Sequence, residues 1–147
     1  MAYVTNTDIE ERLGTATYIQ LTDDDNTGVA DTDKVDEARL GAEGEVDSYL
    51  ARRTAVPVDL VCCPELAAVL RSVVLDLVAY RLHGRRPPVA DDIVRRRGEA
   101  IGWLERVADG RIALPAAHEP PANAATGLAA VATGAPRRAT RETLRDL

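Results

Sequence analysis

The chain has 147 residues, with 24 acidic and 18 basic side chains and a formal net charge of −6. It contains no apolar run long enough for a spanning helix, and its N-terminus, MAYVTNTD, lacks the basic flank and apolar core of a signal peptide. We therefore expect a cytosolic protein with neither feature. The length favours one domain whose core, with no Phe and one Trp, is aliphatic. The adjacent Cys62 and Cys63 cannot form an ordinary disulfide with each other, and we expect both to be small, buried or half-buried side chains.

Charge is distributed unevenly along the chain. Residues 1–50 carry thirteen acids and three bases, a charge of −10, whereas residues 51–114 carry +3 and residues 115–147 carry +1. This asymmetry predicts an acidic face and a basic face that dock head to tail or meet different neighbours. It argues against simple nucleic-acid binding, which usually requires net basic charge.

Two short helices are predicted near the N-terminus. Thr7 and Glu10 have the spacing of a capping box, which predicts a helix over residues 8–13 that Gly14 ends. Residues 15–21 fit either a helix or a strand, and we predict a helix.

Three longer helices follow. The first, Thr32–Arg53, has apolar residues at spacings of three and four and is the most acidic element. Residues 54–63 are predicted to be extended. Pro64 is suited to the first helical position of the next helix, which continues to Gly84 and supplies the core. The last helix is predicted over about residues 90–109. Residues 1–114 are thus predicted to be an all-α domain, a small bundle of about four helices.

The composition changes after Leu114. Residues 115–147 contain four prolines, ten alanines and two glycines, which predicts a long extended C-terminal arm. Thr140 could cap a short terminal helix. We expect the arm to bind a partner or an adjacent subunit through basic and apolar side chains: Arg137, Arg138, Arg141, Leu144 and Leu147.

An acidic loop between the second and third helices resembles a calcium-binding loop. Asp23, Asp25, Thr27 and Asp31 stand at ligand positions 1, 3, 5 and 9, but Lys34 occupies position 12, where a bidentate Glu is needed. The alternative interpretation is a turn whose Asp side chains hold their own backbone. Two alternative functions follow from such local motifs: a calcium-binding helical module, with Ca²⁺ the only cofactor considered, and a small DNA-binding regulatory protein.

Two arginine clusters suggest the DNA-binding alternative. They are Arg85-Arg86 and residues 95–97. Three consecutive helical residues cannot all face one groove, and Asp91–Arg95 and Asp92–Arg96 are spaced for ion pairs. The chain has two serines, two histidines and no zinc-type cysteine spacing, so we expect no catalytic site and no enzyme activity.

Five blocks in order resemble one family: MAYVT followed by D-I-E-x-R-L, then IQLTDDDNTGVADTDKVDEAR, EVDSYLARR-x-AVP, LDLVAYRLHGRRP and WLERVADGRIAL. Over about residues 1–114 the chain is similar to the head–tail connector proteins of Mu-like phages and prophages. The resemblance implies a structural adaptor of the virion neck, assembled in the bacterial cytoplasm, with no membrane contact.

The resemblance also implies partners. Neighbouring copies, about twelve, would form a ring under the portal and extend the DNA channel toward a stopper or tail-terminator protein. DNA would pass through without sequence-specific binding. We expect Glu43, Asp47 and Asp36 to face this channel and repel the phosphates.

Overall fold

The computed structural model describes residues 2–61 and 63–114, and all regular structure in these ranges is helical. The elements in chain order are α1 (Asn6–Leu13), α2 (Thr15–Thr22), α3 (Thr32–Leu50), α4 (Pro64–Gly84) and α5 (Asp91–Ala108). The all-α prediction is confirmed, with five helices because residues 15–21 are helical as predicted. The predicted arm and its terminal helix lie outside the described residues.

The first helix is capped two residues earlier than predicted. The Thr5 hydroxyl accepts the Asp8 N–H at 3.2 Å, and the Asp8 carboxylate accepts the Thr5 N–H at 2.8 Å, so the capping box is Thr5–Asp8 and not Thr7–Glu10. The sequence offers both pairs at the same spacing. Gly14, with φ +80°, ends the helix as predicted.

Burial explains which of the two boxes forms. With Thr5 as the cap, Val4 and Ile9 occupy the two positions that flank a capping box as an apolar pair. Both side chains are buried in the core. A cap at Thr7 would place polar Asn6 at the first of these positions, with no apolar side chain to bury.

The long helices α3 and α4 form the centre of the fold. They run antiparallel, since Lys34 at the start of α3 and Arg85 at the end of α4 bind the same carboxylate. The α5 helix packs on both helices, and the α1–α2 pair also contacts both. The resulting core is aliphatic, as predicted, and its largest fully buried side chains include Ile9, Leu50, Leu70, Leu77, Leu82 and Leu104.

Three helix boundaries can be compared with their predictions. α3 ends at Leu50 rather than Arg53, because the N–H groups of Arg53 and Thr54 both bond to the Leu50 carbonyl in a closing turn, at 2.8 and 3.0 Å. The α4 bounds are as predicted, and those of α5 agree to within one residue. Within the described ranges, no helix is long and apolar enough to cross a membrane. Cys63 is half-buried against the core, as expected, and Cys62 lies outside the described residues.

Candidate functional site

The acidic loop holds its own backbone. The Asp23 carboxylate accepts the N–H groups of Thr27 at 3.0 Å and Gly28 at 2.6 Å. Asp31 caps α3 by accepting the Asp33 N–H at 3.0 Å. These carboxylates therefore accept hydrogen bonds from backbone N–H groups that have no carbonyl partner in a turn or at the start of a helix.

The predicted calcium ligands do not form a metal cage. Asp23 and Asp31 bind backbone N–H groups, the Thr27 hydroxyl is 3.3 Å from Asp23, and Asp25 is exposed. Across residues 2–61 and 63–114, no three His, Cys, Asp or Glu side chains are grouped where they could hold a metal ion. The geometry supports the turn interpretation and gives no support to a calcium module.

Asp24, which the sequence did not single out, joins the loop to two helices. One carboxylate oxygen accepts from Lys34 of α3 and from Arg85 just after α4, both at 2.6 Å. The other oxygen lies 3.6 Å from Arg86. Arg85 also donates to the Leu21 carbonyl at 2.7 Å. The Arg85-Arg86 pair, a candidate for DNA contact, is thus used to fasten this loop.

Acidification should weaken this arrangement. Hydrogen bonds from Lys34 to Asp24 and from the Thr27 backbone to Asp23 lower the pKa of both carboxyls below the usual 3.8. A carboxyl whose pKa is lower in the folded than in the unfolded protein stabilises the fold at pH values above its unfolded-state pKa. This stabilisation is lost as the pH falls through the folded-state pKa.

We expect the urea midpoint, followed by circular dichroism, to fall as the pH drops below about 4. Asp24→Asn should lower the midpoint at neutral pH and make this decline shallower. Asp25→Asn is the matched control within the same loop and should reproduce the wild-type profile. Identical profiles for Asp24→Asn and wild type would contradict the role assigned to Asp24.

The second arginine cluster is also paired within the chain. Arg96 lies 3.4 Å from Asp92, as predicted, whereas Arg95 pairs with Glu99 at 2.9 Å instead of Asp91. Both spacings join neighbouring turns of one helix face. The cluster therefore presents paired charges along α5 and does not form a groove-reading surface.

Arg97 and Arg81 connect three helices through one carboxylate. Glu45 on α3 lies 2.9 Å from Arg81 of α4 and 3.4 Å from Arg97 of α5. Arg97 also stacks 4.7 Å from the ring centre of Tyr80. A Cβ at Gly41 would lie 2.8 Å from the Arg81 guanidinium, so a larger residue at this position would displace the end of the Arg81 side chain.

These contacts pair part of the charge that was predicted to form separate acidic and basic faces. Acids of the first 50 residues pair with bases of the helical middle across the fold, as in Asp24–Arg85 and Glu45–Arg81, and Arg12–Asp76 crosses in the opposite sense at 2.7 Å. The charges that are segregated along the sequence are brought together in space.

Two of the predicted channel-facing residues bind the N-terminal segment. Glu43 accepts the backbone N–H of Tyr3 at 2.8 Å, and Asp47 accepts the Tyr3 hydroxyl at 2.5 Å. The same hydroxyl accepts the Val58 N–H at 3.0 Å. Burial, followed by the bond to Asp47, raises the pKa of the Tyr3 phenol. We call the contacts among Tyr3, Glu43, Asp47 and Val58 the N-terminal hook.

The N-terminal hook reduces the number of acidic side chains on α3 that can face a channel. Glu43 is only 9% exposed, so its buried carboxylate does not fit a channel-facing role. Asp36 accepts from Asn6 and from Arg39, both at 2.9 Å, and is half-buried like Asp47. For Asp36 and Asp47 the channel role stays a prediction. The predicted arm contacts, Arg137, Arg138, Arg141, Leu144 and Leu147, lie outside the described residues.

An apolar groove lies between α4 and α5. It has a volume of about 490 Å³, and its apolar wall is formed by Val69 and Val73 of α4 and by Ala100 and Trp103 of α5. Val69 is 42% exposed and Trp103 half-buried. One sign of this surface is visible in the sequence: Ala68, Val69 and Ser72 form an uncharged face on a helix whose opposite side fills the core.

The fold and its surfaces define a small all-helical protein with a fixed internal charge network and an open groove suited to docking. The family model described as Bacteriophage Mu, Gp36 matches residues 3–133, so the chain belongs to this family. It is a Mu-like phage protein with a structural or morphogenetic role. Among curated proteins, none matches the chain. The family match continues past Leu114, where the connector resemblance ended, into the segment predicted to be the arm.

Proposed function

We propose that the protein is the head-to-tail adaptor of the phage neck. Copies form a ring beneath the portal, extend the DNA channel toward the tail, and meet a stopper or tail-terminator protein on the far side. The observation that carries this proposal is the family match over residues 3–133, together with the five sequence blocks that resemble connector proteins. In this proposal the protein is a virion component without catalytic activity.

Ion pairs and hydrogen bonds that join separate helices within the subunit support the proposal. A ring subunit must keep its shape while it is loaded by its neighbours. Here Asp24 and Glu45 each join separate elements, and the N-terminal hook fixes the chain start to α3 and to the segment before α4. The arginines of both clusters are engaged within the subunit, so the DNA-binding alternative gains no support from them.

The test is to mix the full chain with its portal and examine the particles by negative-stain electron microscopy. We expect an additional ring on one end of the portal that is absent from portal alone. Unchanged portal particles at saturating protein would contradict the adaptor role. A salt-dependent shift of duplex DNA in a gel would instead favour the regulatory alternative.

A further inference from the structure

The groove between α4 and α5 exposes apolar surface that the subunit itself does not cover. Val69 and Trp103 stand at its wall, and the neighbouring exposed positions Ala68 and Ser72 carry no charge. Concave apolar surfaces with an aromatic side chain and a polar rim are typical of protein docking sites.

The polar rim of the groove leaves one cation without a carboxylate partner. Glu99 pairs with Arg95, and Asp76 pairs with Arg12, so both rim acids are compensated within the subunit. Arg106 is exposed and donates to the Gly102 carbonyl at 3.0 Å, but forms no ion pair within the described part of the chain. The rim therefore favours an acidic partner.

The exposed face of α3 carries an apolar side chain with acidic neighbours. Leu40 on α3 is 61% exposed and lies about 140° around the helix from the buried Val35, at 100° per residue. Gly44 lies one turn further along, while the exposed acids Asp33 and Glu37 precede Leu40. Glu37 forms no ion pair within residues 2–61 and 63–114. The result is an exposed apolar side chain with acidic neighbours, one of which, Glu37, lies at the edge of a pocket shared with Tyr80 and Arg81 of α4.

We propose that α3 of one copy docks into the α4–α5 groove of the next copy, with Leu40 against Val69 and Trp103 and Glu37 near Arg106. This inference rests on the proposed function, because a ring requires each subunit to use two different surfaces. A contact between two unlike surfaces links each copy to the next, and the row of copies closes into a ring when the rotation between neighbours allows it.

The proposal assigns the outer face of α3 to a subunit contact. A face covered by a neighbouring copy cannot also line the channel, so Leu40 and Glu37 would be hidden in the ring. Asp36 and Asp47 border the same face of α3. Their predicted channel-facing role and the proposed subunit contact are therefore alternatives.

A charge exchange tests the contact in full-length protein assembled on portals. Glu37→Arg and Arg106→Glu should each lower the fraction of portals carrying a complete ring by roughly tenfold, because each places like charges together. The double variant should restore ring formation to within about twofold of wild type. Both substituted positions are exposed, and circular dichroism verifies that each variant is folded.

Leu40→Lys should abolish rings, while Val94→Lys, which changes an exposed apolar residue of α5 outside the groove, should assemble normally. If wild type forms rings and the single charge variants and Leu40→Lys do so equally well, the docking proposal is overturned and the adaptor function stands. If wild type itself forms no ring, the proposed function fails before the contact is tested.

Discussion

Replacing Tyr3 with alanine should lower the free energy of unfolding by about 3 to 5 kcal/mol, as is usual when a buried aromatic side chain is removed. Tyr3 is 4% exposed and holds the N-terminal hook through its backbone N–H and its hydroxyl. Its replacement would leave a cavity and remove the hydroxyl that bonds to Asp47 and Val58, while the backbone N–H that Glu43 accepts is retained. Urea denaturation followed by circular dichroism measures the change.

Tyr3→Phe separates the two contributions. It keeps the ring in the core but leaves the Asp47 carboxylate and the Val58 N–H without the hydroxyl that now bonds to both. We expect about 1.5 to 3 kcal/mol of destabilisation, because the hydroxyl donates to a charged acceptor. If both variants changed stability by less than about 0.5 kcal/mol, the N-terminal hook would not contribute to folding.

Leu104→Ala should have a comparable effect, about 3 to 5 kcal/mol. Leu104 is fully buried and, together with Val107 and Ala100, attaches α5 to the rest of the fold. A core without phenylalanine relies on close aliphatic packing, so the deleted methyl groups leave a cavity that its neighbours fill only in part. Thermal and urea unfolding should both report the loss.

Leu40→Ala is the matched control, because it makes the same chemical change on an exposed helix position. It should alter the free energy of unfolding by no more than about 0.5 kcal/mol. Equal losses for Leu104→Ala and Leu40→Ala would contradict the described core. A folded, stable Leu40→Ala variant would also show that this leucine is not required for the subunit itself, as expected for a residue used in assembly.

Much of the helical architecture could be predicted because it depends on local rules. Apolar spacing located α3 and α4, Pro64 marked the start of α4, and Gly14 marked the end of α1. The first cap was displaced because Thr5 and Thr7 both have an acid three residues later. The buried pair Val4 and Ile9 selects Thr5, and that burial depends on the rest of the fold.

The functional residues were harder to predict from the sequence. The spacing of oxygen ligands in the acidic loop left a calcium site and a self-bonded turn as alternatives, and Asp23 binds backbone N–H groups while Asp24 binds cations from distant helices. Glu43 was expected to face a channel because it lies on an acidic helix, but it is buried against Tyr3. Spacing along a helix does not show which side another segment covers.

The sequence by itself determined the helical class, the aliphatic core and the membership in a phage family, since these follow from periodicity, composition and ordered blocks of residues. Only the tertiary structure decided what the net charge of −6 means. The acids of the first 50 residues and the arginines of the middle are separated along the chain, but packing brings Asp24 to Arg85 and Glu45 to Arg81 and Arg97. Coulomb interactions depend on distance in space, so the charge left to meet a partner is set by the fold.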